Sequence, residues 1–167
     1  GASSASVANK RVINKSIVSE LPNFIEAAVA TIEMMTNAKA IKEAAKVNEI
    51  IINEVDNKIA SSIGFYGDID GMVILVFPIE IAKKACELLI GEETNDTEMI
   101  LDTLAELVNI VGGKIKTLLF EQDVNVDITL PRTYKDVNSL LDATGNKKGV
   151  QIDLAFDNDK FLFFLTR

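Results

Sequence analysis

No histidine occurs among the 167 residues. That absence removes Ser–His and Cys–His nucleophilic catalysis, histidine-ligated zinc and imidazole proton relays. Cysteine is nearly missing too: Cys86 stands alone, which excludes an internal disulfide and makes a reduced compartment the natural home. Its neighbours in IEIAKKACELLIG are largely apolar, so it reads as an inert core thiol. Lys and Arg number 17 against 25 Asp and Glu, a formal charge of -8, and Lys147-Lys148 is only a turn. Nucleic-acid binding needs a concentrated basic patch, and that function is excluded. The apolar runs are broken by charge well short of membrane-spanning length, and no basic segment followed by an apolar one opens the chain. The expectation is a soluble, cytoplasmic protein with no membrane contact. Gly64, Gly67 and Gly71 do not open a helix, so neither a P-loop nor a dinucleotide fingerprint is present. They read as hairpin punctuation, with Asp70-Gly71 as a two-residue turn. Asp68 and Asp70 lack the glutamate that closes a calcium loop.

What is present suits one compact domain. Hydrophobic residues make up 48% and charged residues 25%, enough for a core without staples. The small, polar opening GASSASVA reads as an expression remnant and disordered leader, setting residues 1–10 apart from a single domain over 11–167. Periodicity predicts a helix from Pro22 to about Met35, with proline near its first turn. From Ala38 to Val55 the signal is divided: AKAIKEAAK counts as helix and VNEIIINEV as strand. Lys58–Tyr66 and Met72–Phe77 predict an antiparallel pair, and Ile79–Leu89 a helix stopped by Gly91. Val124–Thr129 alternates as a strand, and a last hairpin turns at Asp157-Asn158-Asp159.

The most informative segment runs from Glu98 to about Phe120, EMILDTLAELVNIVGGKIKTLLF, with Asn95, Asp96 or Thr97 as its cap. At about 100° per residue it is apolar on nearly every side except one seam of Asp102, Glu106, Asn109, Gly113 and Lys116. Glycines at 112 and 113 each cost a helix about 1 kcal/mol relative to alanine. They are better explained by something that must come close to the backbone. Asn109 is a poor helix former one turn from Glu106, so the two side chains can act on the same object.

Asp102, Glu106 and Asn109, followed about twenty residues later by Pro131 at the end of the strand-like VNVDITLP, resemble the signature of the CheC/CheX/FliY phosphatases of bacterial chemotaxis, most closely its CheX branch. Ile63–Pro78 is similar to that family's hairpin, Ile79–Gly91 to its middle helix, and Val150–Phe156 with Phe161–Thr166 to its final strand pair. The resemblance covers roughly Asn23 to the end. It implies an α+β fold with long helices packed on an antiparallel β-sheet in pseudo-repeated helix–strand halves, and it favours strand over helix between Ala38 and Val55. A glycine that often follows the proline-ended strand is missing near Tyr134–Asp136.

The resemblance also implies a chemistry. A phospho-aspartate is an activated anhydride that needs only an aligned water, which a carboxamide can both donate to and accept from. Asn109 would position that water, and Glu106 would contact the lysine of the receiver. Asp102, Gly112, Gly113 and Lys116 would complete the docking surface. No metal site or cofactor of its own is expected, because the receiver brings its own magnesium. The expected partners are a phosphorylated CheY-like receiver and a second copy of the chain, as in the dimeric branch of the family. The alternative is a non-catalytic response-regulator or flagellar-switch interaction module of the same fold. Ser16, Glu20 and Asn23 repeat the spacing of Asp102, Glu106 and Asn109. Pro22 disfavours helical dihedrals at residue 21, so a degenerate copy with Glu20 and Asn23 on different faces is expected.

Overall fold

The computed structural model describes residues 20–35, 40–49, 58–145, 148–156 and 159–166. Helix α1 (20–35) buries Phe24, Ile25, Ala28, Thr31, Ile32 and Met35, one stripe at spacings of three and four. Strand β1 (Ala40–Glu49) is followed by β2 (Lys58–Gly67), β3 (Gly71–Pro78), α2 (Ile79–Ile90), α3 (Thr97–Glu121), β4 (Val126–Ile128), β5 (Arg132–Tyr134), α4 (Val137–Thr144), β6 (Lys148–Phe156) and β7 (Asp159–Thr166). The strands form one antiparallel sheet in the order β1-β6-β7-β3-β2-β4, with β5 also paired to β2. This is an α+β architecture with helices on a mainly central sheet, as the resemblance implied.

The alternation of side chains along each strand divides the core in two. Ile59, Ile63 and Phe65 of β2, Val73, Leu75 and Phe77 of β3, Ile152 and Leu154 of β6 and Phe163 of β7 pack with α1, α2 and α3. On the opposite face Ala60, Ile74 and Val76 meet Tyr134 and Leu140, the latter from α4. Ser62 and the Tyr134 hydroxyl share a buried hydrogen bond of 3.0 Å there. Burial on both faces explains why β3 reads GMVILVFP without alternation. No described helix is long and apolar enough to cross a membrane.

Several local expectations need correction. The divided signal between Ala38 and Val55 resolves as strand over residues 40–49, the reading the resemblance favoured, because pairing along the whole of β6 overrides the helical period of AKAIKEAAK; residues 38, 39 and 50–55 lie outside the described residues. The β2–β3 turn is not Asp70-Gly71: Phe65 pairs with Gly71, the chain bends at Asp68 and Ile69, and the positive φ of 132° belongs to Gly67. The predicted Val124–Thr129 strand shrinks to Val126–Ile128. Asp159 belongs to β7, and residues 157 and 158 of the expected turn lie outside the described residues, as do residues 1–10 and Ser16. Strand β5 and helix α4 were not anticipated. Helix α4 is capped by Asp136, whose side chain accepts the Ser139 N–H at 2.8 Å. That hydrogen bond holds the Asp136 carboxyl below its ordinary value. Helix α2 ends at Gly91, which has φ of 78° and donates its N–H to the Glu87 carbonyl.

Candidate functional site

The site is built on α3, 25 residues long. Asp96 caps it, its carboxylate accepting the N–H groups of Glu98 and Met99 at 3.0 and 3.4 Å, while its own N–H donates to Thr94 Oγ1. The first turn is thereby satisfied and the helix start is fixed. Ile100, Leu101, Leu104, Leu107, Val108, Val111, Ile115 and Leu119 bury the inner face. A helix so anchored has little freedom to rotate, so its outer seam is held in place by the core.

Along that seam Asp102, Glu106, Asn109 and Lys116 are exposed. Asp102, Glu106 and Asn109 make no side-chain hydrogen bond or ion pair with any described residue. One turn of helix therefore presents a carboxylate and a carboxamide whose hydrogen-bonding capacity is unspent among the described residues. Lys116 is differently placed: its Nζ lies 3.2 Å from Asp127 Oδ1 on β4, an exposed pair that ties the helix to the sheet edge. At the other end of the seam Glu98 pairs with Lys135 at 3.5 Å.

The glycine pair splits. A Cβ on Gly113 would meet nothing within 4 Å, so its face of the helix is open. A Cβ on Gly112 would lie 3.0 Å from both Cδ1 and Cγ2 of Ile63. Gly112 is buried and lets α3 settle onto β2, which corrects its expected place on a docking surface. The 100° step between adjacent residues turns one glycine inward and the other out.

The second copy of the motif also departs from expectation. Helix α1 already includes residues 20 and 21, and Asn23 Nδ2 donates to Glu20 Oε2 at 2.7 Å. The two side chains do share a face, and the described helix runs through Pro22 without a break. Asn23 thus spends its carboxamide on its own neighbour, unlike Asn109. Between α1 and α3 lies an open groove of about 390 Å³, lined in part by Asn23, Ala27, Ala30 and Leu118. Lys114 on its wall donates to Thr31 Oγ1 at 2.9 Å. Few polar groups converge there, and neither Glu106 nor Asn109 belongs to its lining.

Comparison with known proteins bears on this geometry. The family model described as chemotaxis phosphatase CheX matches residues 59–155, a stretch that contains all of α3 and the β4–β5 segment beside it. The CheY-P phosphatase CheX of Thermotoga maritima is 32% identical over 80 residues, 47% of this chain and 52% of that protein. The match thus spans about half the relative's length. Among solved structures, the chemotaxis protein CheX from Vibrio vulnificus superposes with a TM-score of 0.72 at 14% identity, covering 89% of this chain and 98% of that one. The CheX–CheY–BeF3–Mg2+ complex from Borrelia burgdorferi gives 0.71 at 21% identity, covering 86% and 94%. These two likenesses speak for the fold. With the family model extending over more than half of the sequence and over the whole seam-bearing helix, the chain belongs to the CheX family of chemotaxis phosphatases.

Proposed function

We propose that this protein is a phosphatase that removes the phosphoryl group from the phospho-aspartate of a CheY-like receiver domain, ending a chemotaxis or other two-component signal. The carrying observation is that Glu106 and Asn109 stand one turn apart on a rigid helix, exposed and without a partner among the described residues. The name of the Thermotoga maritima relative and the existence of a CheX–CheY complex from Borrelia burgdorferi support the reading.

In the proposed reaction Asn109 enters the receiver's phosphorylation site and holds a water in line with the phosphorus. Its Oδ1 accepts one water proton and its Nδ2 is free to donate to an oxygen nearby. Water adds to phosphorus as the bond to the aspartyl oxygen breaks, giving orthophosphate and a free carboxylate. The protein contributes alignment, and the anhydride supplies the reactivity. Glu106 pairs with a cation of the receiver, which offsets the repulsion between an acidic helix and a phosphoryl group. Asp102 adds to the same negative field. Magnesium comes with the receiver.

The test is the loss of phosphate from the phosphorylated response regulators of the source organism, followed with and without the protein. Acceleration by catalytic amounts supports the enzyme, whereas stoichiometric binding without acceleration favours the interaction module. Glu106→Lys should weaken the complex on the order of 10-fold or more, because a charge at the interface is reversed. An affinity equal to wild type would remove Glu106 from the docking role.

We further propose that the active species is a homodimer. Among the described strands, β1 forms one edge of the sheet and runs for 10 residues, a long edge of the kind that pairs between copies. Light scattering is expected to give twice the 18.2 kDa of one chain, and a single-chain mass at all concentrations refutes it.

A further inference from the structure

Leu130 has 86% of its surface exposed, the highest among the large exposed hydrophobic residues described. A lone exposed leucine needs no explanation by itself. Its position does. Two ion pairs fix how the β4–β5 segment runs along α3: Asp127 faces Lys116, and Lys135 faces Glu98. Between Glu98 and Lys116 lie 18 helical steps, about 27 Å at 1.5 Å each. Between Asp127 and Lys135 lie 8 steps, about 27 Å at 3.4 Å each. The segment is close to extended, since Asp127 pairs with Tyr66 and Tyr134 with Ala60, so that seven steps pass six of β2. Interpolating between the two ion pairs sets Leu130 level with Asn109.

The sheet gives the same register independently. The Gly64 N–H donates to Thr129 Oγ1 and the Thr129 N–H to the Gly64 carbonyl, both at 2.9 Å, so Leu130 falls opposite Ile63. Ile63 is the residue on which Gly112 rests, less than one turn from Asn109. The azimuth agrees as well. Asn109 is 11 residues from Glu98 and 7 from Lys116, within about 20° of the line through the two side chains that reach toward this segment. The loop is also held still: Thr129 Oγ1 donates to the Leu130 carbonyl at 3.1 Å, and Pro131 follows.

We infer that Leu130 is an apolar docking residue that seats against the phosphorylated receiver beside the group Asn109 acts on, and that it sets affinity for that partner. This rests on the phosphatase reading above. Charge and placement together point to this occupant. The seam offers the carboxylates of Glu98, Asp102 and Glu106 on one side of Asn109 and a leucine on its flank. That pattern suits a partner face with a cation and an apolar side chain around a phosphorylated carboxylate. Seating Leu130 would also keep bulk solvent from the flank of the aligned water.

The experiment uses the full chain with the source organism's response regulators charged by acetyl phosphate. Leu130→Ser should raise KM about 10-fold while kcat stays within about twofold, since the group binds and does not react. Its melting temperature should match wild type because the side chain is exposed. Leu130→Met should bring KM back to within about threefold, because an apolar side chain of similar size restores the contact. A KM for Leu130→Ser within about twofold of wild type overturns the inference and leaves the phosphatase reading standing. So does a rate loss that comes with a lowered melting temperature and is not rescued by methionine. A wild-type protein that neither binds nor dephosphorylates any of the charged regulators overturns the phosphatase reading, and this inference falls with it.

Discussion

Asn109→Ala is expected to lower the dephosphorylation rate on the order of 100-fold or more, the scale of losing one group that aligns a reactant. The loss should fall on kcat. Asn109 is exposed and makes no side-chain bond with a described residue, so the folded state loses almost nothing when the carboxamide is removed. Alanine is also the better helix former, which makes a slightly higher melting temperature the expected companion of the lost activity. Rapid-quench measurement of phospho-receiver decay under saturating protein separates this from weaker binding. Wild-type decay in the variant would mean that the water is aligned by some other group.

Substituting the two glycines should give opposite results for stability. Gly112→Leu places a large side chain where even a Cβ would come within 3.0 Å of Ile63, itself only 1% exposed. The strand and helix must part, and a loss of about 1–3 kcal/mol is expected from overpacking. Gly113→Ala meets open space and should gain up to about 1 kcal/mol from helix propensity. If the receiver approaches the backbone at Gly113, then Gly113→Leu should leave the melting temperature unchanged or raised while weakening docking. Melts beside phosphatase assays read both quantities. A melting temperature for Gly113→Ala below wild type would show that this glycine packs inside the domain, and the seam would lose its claim to be a docking face.

These contrasts show what a reader of the chain alone can and cannot see. Helix α3 was legible because many turns of consistent period, an Asp96 cap and a polar stripe agree with one another. Gly112 does not share the docking surface expected for it alongside Gly113, since the same period, a 100° step, carries it into the apolar arc. Strand β1 was ambiguous for a different reason. Its pairing partner, β6, lies about 100 residues further along, and no local window contains the contact that decides its conformation.

Helix α4 did carry a local signal, an Asp136 cap followed by Val137, Leu140 and Leu141, but at 8 residues it is too short for periodicity to stand out. The pairing of both β4 and β5 with β2 could not be read from sequence, because it depends on where two three-residue strands meet the sheet edge. The inferred register of Leu130 with Asn109 follows from that arrangement. The shared face of Glu20 and Asn23 shows that Pro22 does not push residue 21 out of the helix, although proline disfavours helical dihedrals in the residue before it.

If the Asn109 carboxamide on α3 turns a binding surface into a catalyst, phosphate is released from the receiver with turnover. A receiver charged to completion and separated from excess donor is mixed with substoichiometric protein, and liberated orthophosphate is followed in time. Multiple turnovers are expected at a rate at least about 10-fold above spontaneous decay, abolished in Asn109→Ala while the receiver still binds that variant. Equal rates with wild type, with Asn109→Ala and with no protein, alongside measurable binding, would contradict it and leave an interaction module built on the same fold.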